Sequence, residues 1–115
     1  MAYDEDLADH VRWLLGYDPA LSERKMFGGL AFLVRGQMAV TVSGRGGLLV
    51  RVDPAQADDL VASTGAAVAV LGGRPMTGWL RVAVDALASD DELAAWVRRG
   101  TEYARSLPPK KPFTS

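Results

Sequence analysis

A chain of 115 residues, 49% hydrophobic and 23% charged, has the length and composition of one globular domain, which excludes a multidomain assembly and a disordered segment. The formal net charge is −1, from 13 Lys+Arg against 14 Asp+Glu, so the overall basicity that draws DNA-binding domains onto nucleic acid is missing. No cysteine is present, which excludes disulfides and thiol chemistry; with no leader-like opening and no apolar run near the ~18 residues of a membrane span, the chain reads as cytoplasmic.

The spacing predicts a first helix over about Asp4 to Leu15. Leu7, Val11, Leu14 and Leu15 recur at helical intervals, and the acidic first turn complements the helix dipole. Gly16 is placed to stop it, and Asp18-Pro19 punctuates the linker. Strands follow. Met26-Phe27 enters one, and the pair Gly28-Gly29 allows a bulge or a close backbone approach. Leu30 to Val34 and Gln37 to Val42 flank Arg35-Gly36, a two-residue hairpin turn whose type stays open because arginine suits a positive φ poorly. Gly44-Arg45-Gly46-Gly47 makes another turn before a strand over Leu48 to Val52.

Asp53-Pro54 starts a second helix, with Asp as N-cap, Pro at N1 and Gln56 at N3. Ala57, Leu60 and Val61 form its apolar stripe, and Gly65 ends it. Val68 to Leu71 and Trp79 to Val84 read as strands around a Gly72-Gly73-Arg74-Pro75 loop. The last helix opens with a capping box from Ser89 to Glu92 and shares one face among Leu93, Trp96, Val97, Gly100, Ala104 and Leu107; Pro108-Pro109 stops it. The order α-β(3)-α-β(2)-α predicts an α+β fold, an antiparallel-rich sheet covered by helices, as a single domain over 1–109 with a short tail over 110–115.

Charge is unevenly distributed along this order. Asp4, Glu5, Asp6 and Asp9 make the first helix acidic. Between Arg24 and Val52 there is no Asp or Glu, while Arg24, Lys25, Arg35, Arg45 and Arg51 all fall there. Near the C-terminus Arg98, Arg99, Arg105, Lys110 and Lys111 face only Glu102. Strand alternation spreads such cations over both faces of a sheet, so sequence alone leaves open whether they form one patch.

Catalytic chemistry finds no foothold. The only histidine, His10, lies beside the apolar stripe of the first helix, and transition-metal sites want two or more His or Cys ligands. Asp58-Asp59 and Asp90-Asp91-Glu92 are explained by solvation and helix capping. The glycine cluster at 44–47 is too short for G-x-G-x-x-G, and neither a P-loop nor a nucleophile elbow is present. No catalytic residue, metal or cofactor is assigned, and the expected class is a non-enzyme.

Two motifs remain. Arg24-Lys25-Met26-Phe27-Gly28-Gly29-Leu30-Ala31-Phe32 and Arg74-Pro75-Met76-Thr77-Gly78-Trp79 share a theme of cation, methionine, glycine and aromatic. Arg24, Lys25, Arg51 and Arg74 are candidates to contact phosphates or an acidic partner, ringing an apolar anchor; Phe27 or Trp79 would stack on a base or fill a partner pocket. On the structural reading, Phe27, Met38 and Trp79 are core and Gly28-Gly29 serves a backbone bend.

Together with Leu49-Val50-Arg51-Val52-Asp53-Pro54, Gly73-Arg74-Pro75-Met76, Leu93-Ala94-Ala95-Trp96-Val97 and the Ala104 to Lys111 segment, these motifs resemble the N-terminal domain of the TfoX/Sxy family. The resemblance implies a fold similar to that of type III secretion chaperones. It also implies regulation: members named for competence are positive regulators of DNA-uptake genes and act with a cAMP-receptor-type transcription factor. The helical second domain of two-domain members does not follow before Ser115, so a stand-alone form is expected. Lys25, Phe27, Gly28, Gly29, Arg51, Arg74 and Met76 match motif positions that carry no assigned role.

The expected function is therefore a regulatory or adaptor domain that binds a macromolecule, by resemblance a transcription-factor-like protein. Arg24, Lys25, Phe27, Arg51, Arg74, Met76, Lys110 and Lys111 are the candidate contact residues. The alternative is direct nucleic-acid binding through the acid-free segment and the Lys110-Lys111 tail; an enzyme with an unfamiliar site ranks third. Fold analogy with the chaperones adds a homodimer through exposed strand edges.

Overall fold

In the computed structural model, which describes residues 3–26 and 28–109, Asp4 opens helix α1 (Glu5–Leu15) by accepting the backbone N–H groups of Asp6 and Leu7. Ala8 and Val11 are its buried positions, and Gly16 closes it with its N–H on the Arg12 carbonyl. Strands β1 (Leu21–Met26), β2 (Gly29–Val34), β3 (Gln37–Val42) and β4 (Leu48–Arg51) follow. Asp53 then caps a 3-10 turn at Pro54–Gln56 that feeds α2 (Ala57–Thr64), and Gly65 ends α2 at a left-handed φ of 78°. The hairpin β5 (Ala67–Leu71) and β6 (Arg74–Val82), a second 3-10 turn at Val84–Leu87 and α3 (Asp90–Ser106) complete the chain. The box at the start of α3 is built as expected: Ser89 Oγ accepts the Glu92 N–H at 3.1 Å and donates to Glu92 Oε1 at 3.0 Å.

The six strands form one antiparallel sheet in the order β1-β2-β3-β4-β6-β5. The α+β class matches expectation, but four strands rather than three precede α2. The added strand is β1, whose Ser22-Glu23-Arg24-Lys25 run shows no apolar alternation because all four residues are exposed, so neither face of this edge strand is buried there. β6 also starts earlier than the expected Trp79. Pro75 is accommodated because β4 pairs with β6 only from Trp79 onward, which leaves that stretch of β6 with a single neighbour. Arg35 and Gly36 both take positive φ, 51° and 81°, as a type I′ hairpin turn requires. The arginine is held there by its N–H on the Ala20 carbonyl at 2.8 Å and its guanidinium on the Arg105 carbonyl at 2.6 Å.

One face of the sheet carries the core. Leu30, Phe32, Val34, Val40, Val42, Leu48, Val50, Leu80 and Val82 join Ala8 and Val11 of α1, Ala57 of α2, and Leu93, Trp96, Val97 and Ala104 of α3 in a single buried cluster. α3 lies across β2, β3 and β4, α2 lies on β5 and β6, and α1 packs beside α3. α3 meets β3 closely at Gly100, where a Cβ would stand 2.6 Å from the Ala39 carbonyl oxygen and 2.8 Å from Val40 Cγ2. Gly100→Ala is expected to destabilise the protein by about 1–3 kcal/mol through overpacking, although alanine is the better helix former. Urea unfolding measures it, and a neutral or stabilising substitution would show that α3 does not press on β3 there.

Candidate binding surface

Side chains that alternate with the core positions lie on the opposite, outer face of the sheet. The strand register sets Arg24, Ala31, Thr41, Leu49, Arg81 and Ala67 side by side across all six strands. The neighbouring row holds Ser22, Leu33 and Met38 in β1–β3, and Arg51 opposite Trp79 in β4 and β6. Neither row contains a carboxylate. Glu23, the only acidic residue in the six strands, pairs in register with Phe32 and so faces the helices.

The middle of this face is closed: Ala31 is 0%, Thr41 3%, Leu33 6% and Leu49 9% exposed. Ser22, Arg24 and Ala67 are exposed and Met38, Arg51, Trp79 and Arg81 are half-buried, so the face meets solvent around, rather than through, its aliphatic centre. Thr41 Oγ1 is buried and has no hydrogen-bond partner among the described residues.

Arg51 is the best-placed cation. Its guanidinium carbon stands 5.4 Å from the Trp79 ring centroid and 5.9 Å from that of Tyr103 on α3, both within cation–π range. Its Nη1 donates to Gln37 Oε1 at 3.1 Å, and Gln37 Nε2 donates in turn to the Pro108 carbonyl at 2.8 Å, just past the end of α3. Among the described residues, the ion pairs join Arg12 to Asp9 and Glu23 and Arg105 to Asp18, and His10 Nε2 lies 3.5 Å from Asp90; Arg51, Arg24 and Arg81 take part in none of these contacts.

The expected ring of Arg24, Lys25, Arg51 and Arg74 is not brought together. Arg24 sits on the edge strand, three strands from Arg51, on the order of 14 Å at the usual strand spacing. Lys25 is opposite Leu30 and therefore alternates to the other face, and Arg74 is exposed opposite Leu71 where the β5–β6 hairpin closes. Met76 is half-buried opposite Ala69. Gly28 takes a positive φ of 74° in the β1–β2 connection, and a side chain at Gly29 would collide with the Val42 carbonyl oxygen. Phe27, Lys110 and Lys111 lie outside the described residues. Sequence patterns do not single out Arg81; the alternation Trp79, Leu80, Arg81, Val82 marks it as outward-facing, but its alignment with Arg24 depends on register across five strands.

A cleft of about 190 Å³ opens between the end of α1 and the β1–β2 edge, lined by Arg12, Leu15, Gly16, Leu21, Ser22, Glu23 and Phe32. It is smaller than the roughly 300–1,000 Å³ of typical ligand pockets, and neither His10 nor Lys25 lines it. At its wall Arg12 forks onto Glu23, with Nε on Oε2 at 2.7 Å and Nη2 on Oε1 at 2.9 Å. That pairing holds the Glu23 carboxyl below the usual carboxylate range, against the opposing pull of its partial burial, and raises the Arg12 guanidinium above its ordinary value. Among the described residues no group of three or more His, Cys, Asp or Glu is arranged to hold a metal ion, and no helix is long and apolar enough to cross a membrane.

A family model described as TfoX N-terminal domain matches residues 14–104, a span that includes both cation–aromatic motifs and the whole sheet. No curated protein and no solved structure matches the chain.

The Arg12–Glu23 fork has a defined pH signature. Because the folded pKa of Glu23 is depressed, its contribution is complete above the unfolded glutamate pKa of about 4.3 and is lost as pH falls through the lower folded value. Both partners are more than a third exposed, so the contribution is at most ~1 kcal/mol. Unfolding free energies of the wild type and Glu23→Gln are expected to differ at neutral pH and to converge as the solution becomes strongly acidic. A difference that stays constant with pH would mean that the pairing does not hold in solution.

Proposed function

The chain belongs to the TfoX N-terminal domain family, and we propose that it is a non-enzymatic regulatory domain that acts by binding another macromolecule through the outer face of its sheet. One observation carries this reading: two register rows put Arg24, Arg51, Arg81 and a half-buried Trp79 on one face without a single carboxylate, with Arg51 directly against the indole. Arginine and tryptophan are the side chains that most often dominate interfaces. Arg51 is already ordered by Trp79, Tyr103 and Gln37, so it loses less conformational freedom on binding than a free surface arginine. The face fits a partner that is anionic where it touches. The family's association with competence regulation supports a macromolecular partner over a small substrate.

The test is capture from a lysate by immobilised protein, run with and without nuclease treatment. Wild-type protein is expected to retain a partner that the Arg51→Ala/Arg81→Ala variant retains roughly thirtyfold less well, the loss typical of an interface hot spot. Circular dichroism confirms that the variant is folded. Equal retention by both proteins would remove the outer face from the contact surface.

A further inference from the structure

We infer that the outer face of the sheet is a binding surface for single-stranded nucleic acid, with Arg24, Arg51 and Arg81 on phosphates and Trp79 stacked on a base. This inference rests on the outer face being the contact surface. What it adds is the chemistry of the occupant.

Beside exposed Ser22 and Ala67, the accessible groups on this face are the cations Arg24, Arg51 and Arg81 and the apolar groups of Trp79 and Met38. Arg24 stands at one end of a row and Arg81 in the same row four strand spacings away, on the order of 19 Å, with Ala67 beyond it on the other edge. Between them the row narrows to Ala31, Thr41 and Leu49. In the adjacent row Trp79 presents a half-buried indole directly opposite Arg51, with Met38 also half-buried. A ligand that uses both sets must carry repeated negative charge and flat apolar surface within a few ångströms of each other. An unpaired nucleic-acid strand has that combination, phosphates alternating with bases whose π-faces are free. An acidic peptide has the charge but no obligatory flat group to set on the indole. A duplex hides its base faces inside the stack.

Thr41 is the second, independent observation. Its hydroxyl is buried at the middle of the row and has no partner among the described residues, although buried polar groups are rarely left unpaired. It sits between the cations at Arg24 and Arg81, where a strand crossing from one to the other would pass. The face also holds no carboxylate to repel a polyanion, because Glu23 is turned to the helix side and forked by Arg12.

The experiment is a fluorescence-anisotropy titration of the whole chain with a fluorescein-labelled oligothymidylate of about 12 nucleotides, at about 50 and 200 mM salt. Three phosphate contacts predict an affinity that falls roughly twentyfold between the two salt concentrations. Arg81→Glu should lower the affinity further and flatten the salt dependence. Trp79→Ala should weaken binding by roughly tenfold or more through lost stacking. Should Trp79→Ala fail to fold, Arg81→Glu alone decides the matter, since its side chain is partly in solvent. Arg98→Glu, on an exposed position of α3, should have no effect beyond the small change in net charge. Three results overturn the inference: no binding at either salt, a duplex of equal length binding as tightly as the single strand, or displacement of the oligonucleotide by polyglutamate at equal charge concentration. If the oligonucleotide fails while lysate capture still depends on Arg51 and Arg81, the outer face stands as the contact surface and only the nucleic-acid assignment falls. If capture is also independent of those residues, the reading of the face falls with it.

Discussion

The seat of α3 on β3 is the contact on which the rest of the structure depends. Gly100 has no side chain, so the backbones close until the Ala39 carbonyl and Val40 fill the space where a Cβ would be. Ala39 is the extra residue of a bulge: Phe32 pairs with Val40, but Leu33 pairs with Met38. A bulge bends its strand and releases one residue from the ladder, and here that residue lies against the helix. Trp96 and Val97 before the glycine and Ala104 after it then reach the core, so one small residue sets the depth of the whole helix.

That seat also reaches the outer face. Beyond Gly100, Tyr103 comes within cation–π distance of Arg51, and the end of α3 receives hydrogen bonds from Arg35 and Gln37. Gln37 in turn accepts from Arg51. The best-ordered cation of the candidate surface is therefore positioned by a helix packed against the other side of the sheet. The same arrangement separates charge. The acidic residues at the starts of α1, α2 and α3 complement helix dipoles, whereas the strands keep one acidic residue and spend it on Arg12. A net charge of −1 is thus the sum of two unlike surfaces, and screening over ~8 Å at physiological salt lets a partner meet one of them largely by itself.

Local chemistry was legible wherever it ends or starts an element. Asp4, the Asp53-Pro54 pair, Ser89 with Glu92, and Gly65 all act as their residue types imply, because caps depend on neighbours within a few positions. Strand β1 was not legible, since the alternation that marks a strand requires one face to be buried and an edge strand of this kind buries neither. Arg35 shows the same limit. Its positive φ is held by Ala20 and Arg105, partners that turn preferences do not include.

For the candidate surface the division is sharper. The sequence by itself determined that a long segment from Arg24 to Val52 carries no acid, that the motif cations lie within a family domain, and that cap and core positions make an α+β fold. Only the tertiary structure decided which cations share a face. Lys25 and Arg24 are adjacent in the chain yet alternate to opposite sides of β1, while Arg24 and Arg81, 57 positions apart, fall in one row. The physical reason is the period of two along a strand combined with register between strands: a shift of one residue between β4 and β6 would have put Arg81 among the core side chains instead.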